Sequence, residues 1–148
     1  MTGEPFVILL VEDNPDHAEL VKRSFEDHRV ANVMQHMPDG DEALDYLFRR
    51  GQYTDPESSP TPHVVLLDLR LPKTDGLEVL RQIKTSELRS IPVVILTTSD
   101  ASRDIAEAYK YHANSYLVKP VDFKNFTTMM HDLGFYWLGW NRNPWQQE

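Results

Sequence analysis

Glu12 and Asp13 follow the apolar run Phe6–Val11, and Asp68 follows a second run, Val64–Leu67. A short, unbroken apolar run between polar residues suits a strand buried on both faces, as in a parallel sheet. If these two strands are neighbours, the three carboxylates converge at the carboxyl edge of the sheet, where open α/β folds bind ligands. At a separation of ~4 Å and an effective dielectric of ~20, each like-charge pair repels by about 4 kcal/mol. A hard cation removes that repulsion, and an all-oxygen donor set at such an edge suits Mg²⁺. Two further polar residues follow apolar runs: Thr97 at the end of residues 91–97, and Lys119 after Ser115–Val118. A hydroxyl and an ammonium would then share the edge with the acids.

The elements that must hold these groups are legible in outline. Strand-like and helix-like segments alternate five times, which predicts an α/β fold with a parallel sheet. Asn14 is placed to cap a helix whose first residue is Pro15, where the missing N–H costs nothing. Leu20, Val21 and Phe25 mark its inner face. A weak strand is expected over residues 31–36. Asp39-Gly40 opens a helix carrying Ala43, Leu44, Leu47 and Phe48. Residues 51–62, rich in Pro, Ser, Asp and Gly, read as an exposed loop. After Pro72 and the Asp75-Gly76 turn comes a helix with Leu77, Leu80 and Ile83 on one face. Residues 91–97 form the clearest strand, being rich in β-branched side chains. Asp100 is expected to cap the next helix, which carries Ile105, Ala108 and Tyr109. A last helix carries Phe123, Phe126, Met130, Leu133 and Trp137 in one stripe.

Composition narrows the function classes. The 148 residues are about one domain's worth, and 41% hydrophobic content supports a single core. With no cysteine there is no disulfide framework and no thiolate chemistry. A net charge of −8 weighs against nucleic acid, which requires a basic footprint. The six-residue N-terminal apolar run is too short for a signal or a membrane span, so no membrane association and a cytoplasmic protein are expected. The six histidines show no metal-binding spacing such as His-Glu-x-x-His and are expected to be structural or surface residues.

Taken in order, Glu12-Asp13, Asp68 within residues 66–72 (LLDLRLP), Asp75-Gly76, Thr97-Thr98, and Tyr116 followed by Lys119-Pro120 resemble the receiver domain of two-component response regulators. The resemblance spans about residues 5–138. It implies a flavodoxin-like, doubly wound five-stranded parallel sheet of order 2-1-3-4-5, with helices on both faces. It implies that Asp68 is the phosphoacceptor, forming an aspartyl phosphate. Mg²⁺ would be held by Glu12, Asp13, Asp68 and the backbone carbonyl of Arg70. Lys119 and Thr97 would contact phosphoryl oxygens, and Tyr116 would change rotamer as Thr97 moves. A cis Lys119-Pro120 bond is also implied. So is a phosphoacceptor signalling protein rather than an enzyme: it would phosphorylate itself from small phosphodonors with Mg²⁺ and dephosphorylate slowly, with Arg70 and Ser99 flanking the site.

The long loop at residues 51–62, the opening VEDNPD at residues 11–16, and the aromatic residues Phe135, Tyr136, Trp137, Trp140 and Trp145 resemble stand-alone regulators paired with phytochromes. That resemblance implies a sensor histidine kinase, a phytochrome, as partner, and a single receiver domain over residues 1–148 with no output domain. The aromatic tail predicts a homodimer through the last helix. Three other readings stay open from the residues. A flavodoxin-like cofactor binder would need Ser, Thr and Gly where Glu12-Asp13-Asn14 stand. An aspartyl-phosphate phosphatase would carry Asp-x-Asp on its first strand. A pseudo-receiver that only binds partners would not need all five chemical positions.

Overall fold

The computed structural model describes residues 5–26 and 31–141. Its strands and helices alternate as β1 (Phe6–Val11), α1 (Pro15–Glu26), β2 (Asn32–Met37), α2 (Gly40–Leu47), β3 (Val64–Leu67), α3 (Gly76–Lys84), β4 (Val93–Thr97), α4 (Ser102–Lys110), β5 (Ser115–Val118) and α5 (Phe123–Gly134). A π-helical turn, Phe135–Trp140, continues α5. The strands form one parallel sheet of order β2-β1-β3-β4-β5. This is the flavodoxin-like, doubly wound fold that the sequence resemblance implied.

Alternation along the buried strands sorts the core into two layers. Leu9, Val11, Val65, Leu67, Val93 and Ile95 face α2, α3 and α4. Ile8, Leu10, Val64, Leu66, Val94 and Leu96 face α1 and α5. Strand residues have period two, so a strand covered on both sides must be apolar throughout, as β1, β3 and β4 are. The polar residue that follows each run then falls at the sheet edge.

Helix starts are set by short side chains. Asn14 Oδ1 accepts from the backbone N–H groups of Asp16 (2.9 Å) and His17 (3.2 Å), with Pro15 opening α1. Asp39, Asp75 and Asp122 cap α2, α3 and α5 in the same manner. The expected cap at Asp100 is not made. Ala101 is the cap residue of α4, without a side-chain bond, and Asp100 is exposed.

Several expected boundaries shift. Strand β4 begins at Val93 rather than residue 91, because Pro92 has no N–H to give the ladder. Strand β2 runs one residue later than expected, ending at Met37. Phe123, expected in the core, is 74% exposed, since it sits at the first position of α5, before the helix lies over the sheet. Tyr109 is likewise 49% exposed, and Ala108 is the buried residue of α4. The described residues contain no cis peptide bond, so Lys119-Pro120 is trans, the lower-energy form for X–Pro, and the implied cis bond is not present. Trp145 and the rest of residues 142–148 lie outside the described residues. No described helix is long and apolar enough to cross a membrane.

Candidate functional site

Strand register builds the site. Val11 pairs with Leu67, so the next residue on each strand, Glu12 and Asp68, stand side by side at the edge. The N–H of Asp68 donates to the Val11 carbonyl at 3.1 Å, extending the ladder into the site. On the other side of β3, Thr97 pairs with Val118, and the Lys119 N–H donates to the Thr97 carbonyl at 2.7 Å. Glu12, Asp68, Thr97 and Lys119 are all buried at this edge, while Asp13 is exposed at its rim. Gly76 closes the floor: a Cβ there would collide with the Asp68 backbone carbonyl, so the α3 turn approaches Asp68 as closely as it does only without a side chain.

The charges converge as expected. Glu12, Asp13 and Asp68 each offer a carboxylate oxygen, and these atoms lie within 4.8 Å of one another. The set is purely oxygen, partly open at Asp13, and crowded with negative charge, which fits a hard divalent cation. Lys119 enters the same group. Its ammonium donates to Glu12 Oε1 at 2.5 Å and to Asp68 Oδ2 at 3.2 Å. Burial pushes the Glu12 carboxyl above its usual range, opposed by the hydrogen bond and charge of Lys119. The Asp68 carboxylate is oriented further by the Arg70 N–H, which donates to Oδ1 at 3.1 Å.

Two residues join the site that sequence reading did not place there. His17, on the first turn of α1, has Nδ1 3.0 Å from the Lys119 ammonium, and its ring packs edge-on against Phe126 at 5.0 Å. Burial lowers its pKa, with the Lys119 charge adding to the effect, which suits a neutral ring accepting from the ammonium. Asp104 lies on the first turn of α4, where its carboxylate accepts from the Arg70 guanidinium (2.6 Å) and the Ser99 hydroxyl (2.5 Å). Neither had a local signal: each is a helix-surface residue in sequence, and only the packing of α1 and α4 on the edge brings it in. Tyr116 packs against the core, and its hydroxyl donates to the Ser99 carbonyl at 2.9 Å. Thr97 is fully buried, with its Oγ1 3.5 Å from the Ser99 N–H.

Chemically, Asp68 is a positioned, buried carboxylate beside an exposed Asp13, with a cation site on one side and an ammonium on the other. Such an edge can accept a phosphoryl group, whose charge the cation and Lys119 would balance. The acidic loop after β1 carries no hydroxyl or glycine with which to hold a bare phosphate.

Comparison with known proteins agrees with this geometry. Residues 8–131 match the response regulator receiver domain. The chain is 50% identical over 142 residues to the probable methanogenesis regulatory protein FilR2 of Methanothrix harundinacea, covering 95% of this chain and 89% of that one. It is 40% identical over 138 residues to response regulator Rcp1 of Synechocystis sp., covering 93% and 92% respectively. The crystal structure of the Mn(2+)-bound form of Rcp1 superposes with a TM-score of 0.90 over 95% of this chain and 99% of that one, at 39% identity. The phosphorylated cyanobacterial phytochrome response regulator RcpA does so with the same score and coverage at 34% identity.

Proposed function

The chain belongs to the response regulator receiver domain family, and on that footing we propose that it accepts a phosphoryl group on Asp68 from a histidine kinase and passes the signal to a protein partner. The observation that carries this reading is the register that sets Asp68 beside Glu12, within reach of both Asp13 and Lys119. An Asp68 carboxylate oxygen forms the new bond to phosphorus as the bond from phosphorus to the kinase histidine breaks, and the histidine nitrogen keeps that electron pair. Glu12, Asp13, Asp68 and the Arg70 carbonyl would hold Mg²⁺, and a Mn(2+)-bound form of the similar Rcp1 supports a divalent site. When bound, the cation shields the carboxylates from the incoming phosphoryl group and balances its charge.

Lys119 then has a new acceptor. Its ammonium, held by Glu12, Asp68 and His17, can turn to a phosphoryl oxygen, with Thr97 donating its hydroxyl to another. Movement of Thr97 alters the loop that Tyr116 holds through the Ser99 carbonyl, so Thr97 and Tyr116 are the switch pair. We read the chain as a single receiver unit over residues 1–148 that acts in the cytoplasm, where ATP supplies the kinase, and as a homodimer.

Likeness to Rcp1 and RcpA supports a phytochrome as the partner kinase, whereas FilR2, at higher identity, is a probable methanogenesis regulatory protein. Phosphotransfer from purified kinases, a phytochrome among them, distinguishes these: preferential transfer from the phytochrome is the expected result. The core reading is tested by intact mass after treatment with acetyl phosphate and Mg²⁺. One added phosphoryl group is expected, absent from Asp68→Asn. A chain that gains no mass is a binding module instead.

A further inference from the structure

Asp104 stands at the centre of a hydrogen-bonded clasp between the loops that follow β3 and β4. Its carboxylate binds the Arg70 guanidinium at 2.6 Å and the Ser99 hydroxyl at 2.5 Å through the same oxygen. Both partners are fastened to the chemistry by their backbones. The Arg70 N–H donates to Asp68 Oδ1, and the Ser99 N–H lies 3.5 Å from Thr97 Oγ1. The Ser99 carbonyl in turn accepts from Tyr116. A side chain from α4 thus ties the loop after β3 to the loop after β4, bridging 34 residues of sequence. The Asp104 side chain is only 13% exposed, against 67% for Arg70, so the clasp is anchored at its acidic end.

Resting on the function proposed above, we infer that Asp104 is a positioning residue that slows hydrolysis of the phosphorylated Asp68. In that hydrolysis a water oxygen bonds to phosphorus in line with the leaving Asp68 oxygen. The Asp68–phosphorus bond breaks, the carboxylate keeps the electron pair, inorganic phosphate leaves with the water's hydroxyl, and the water's other proton passes to a phosphate oxygen or to solvent. A water in that line must be oriented by nearby polar groups. Arg70 and Ser99 are tied by their backbones to Asp68 and Thr97, and Asp104 occupies the polar end of each: it pairs with the guanidinium and accepts the hydrogen bond of the hydroxyl. Releasing them frees two donors to orient a water.

Asp104 also lies in the first turn of α4, where a carboxylate favours the helix N-terminus. A purely helical role is separable, because Arg70 is not part of α4. The experiment follows loss of the phosphoryl mass after rapid removal of acetyl phosphate, in excess Mg²⁺, for wild type, Asp104→Ala, Arg70→Ala and the double variant. Asp104→Ala should lose phosphate roughly fivefold to tenfold faster, the scale of the net contribution of one hydrogen bond. Arg70→Ala, an exposed change that keeps the fold, should also be faster. The double variant should fall well short of the product of the two effects, since both act on one contact. An unchanged or slower rate in Asp104→Ala overturns the inference, as does the same Asp104 factor in both Arg70 backgrounds. A wild type that takes up no phosphoryl group overturns the functional reading and this inference with it; normal uptake with equal lifetimes overturns this inference alone.

Discussion

Lys119 brings one positive charge to two buried carboxylates, Glu12 and Asp68, and its ammonium is itself buried. Breaking a buried pair by removing one partner leaves uncompensated charge and costs about 3–5 kcal/mol. Lys119→Met should therefore destabilise the protein by about that amount in urea without divalent cations. Added Mg²⁺ should restore more stability to this variant than it adds to wild type, because the cation takes over the neutralising role. Equal Mg²⁺ increments in both proteins would show that Lys119 and the cation do not compete for the same charge. Asp13 presents the opposite case, being exposed at the rim. Asp13→Ala should leave the metal-free fold intact and abolish the Mg²⁺-dependent rise in Tm, since binding to the native state alone raises stability as RT ln(1 + [L]/Kd). A rise of wild-type size would remove Asp13 from the ligand set.

Among the elements, α2 carries the anchor for the long connection to β3. Tyr46 is 2% exposed, and its hydroxyl donates to the Pro60 carbonyl at 2.7 Å, pinning the far end of a loop that is otherwise mostly open. Burial pushes the Tyr46 hydroxyl up to about 12 from 10.0. The folded form keeps a proton that the unfolded form releases, so this contribution is fully present below pH 10 and is lost as pH rises through about 12. Tyr46→Phe should flatten the fall of stability across that alkaline window and cost about 1 kcal/mol near neutrality. Stability measured by denaturant at several pH values checks both; a slope unchanged from wild type would assign the alkaline loss elsewhere. Helix α4 differs from α2, with Ala108 alone of its residues buried. Few buried contacts mark an element that opens easily. Phosphorylation should consequently produce its largest amide shifts along α4, β5 and the Tyr116 loop. In Lys119→Ala, phosphate should still be accepted but those shifts should shrink. Shifts of equal size in both proteins would detach Lys119 from transmission.

At the scale of the molecule, the aromatic extension of α5 divides. Trp137 and Leu138 are buried with Phe126, Met130 and Leu133 on the α1–α5 face of the sheet. Phe135, Tyr136 and Trp140 are exposed, the last by 74%, and Phe123 and Val121 stand exposed at the other end of α5. Between these ends, Leu117, Pro120, Met129 and Leu133 line an open groove. A surface with this much exposed aromatic area matches a contact between copies more readily than a solvated face. The proposed homodimer is best tested with Tyr136→Ser and Trp140→Ser rather than by removing the tail, because deletion would also strip Trp137 and Leu138 from the core. Wild type should sediment as a dimer at tens of micromolar (~10⁻⁵ M), and the substituted protein as a monomer. A wild-type monomer, phosphorylated or not, ends the dimer reading.

The order of elements and the positions of the reactive side chains were readable along the chain because both are local. Burial on both faces demands unbroken apolar runs, and the first polar residue after each run must fall at an edge, which marks Glu12, Asp68, Thr97 and Lys119. Caps at Asn14, Asp39 and Asp75 are equally local, resting on bonds two or three residues away. What each group touches was decided only by the packed fold. His17 meets Lys119 across 102 residues, and Asp104 meets Arg70 across 34. No pattern in the intervening sequence records either meeting. The apolar stripe placed Trp137 with Phe126, Met130 and Leu133, as the fold does, whereas the outward turn of Trp140 was undecided for the same reason. A π-helical turn sets that direction, and its wider winding answers to the core beneath it rather than to the spacing of the aromatic residues.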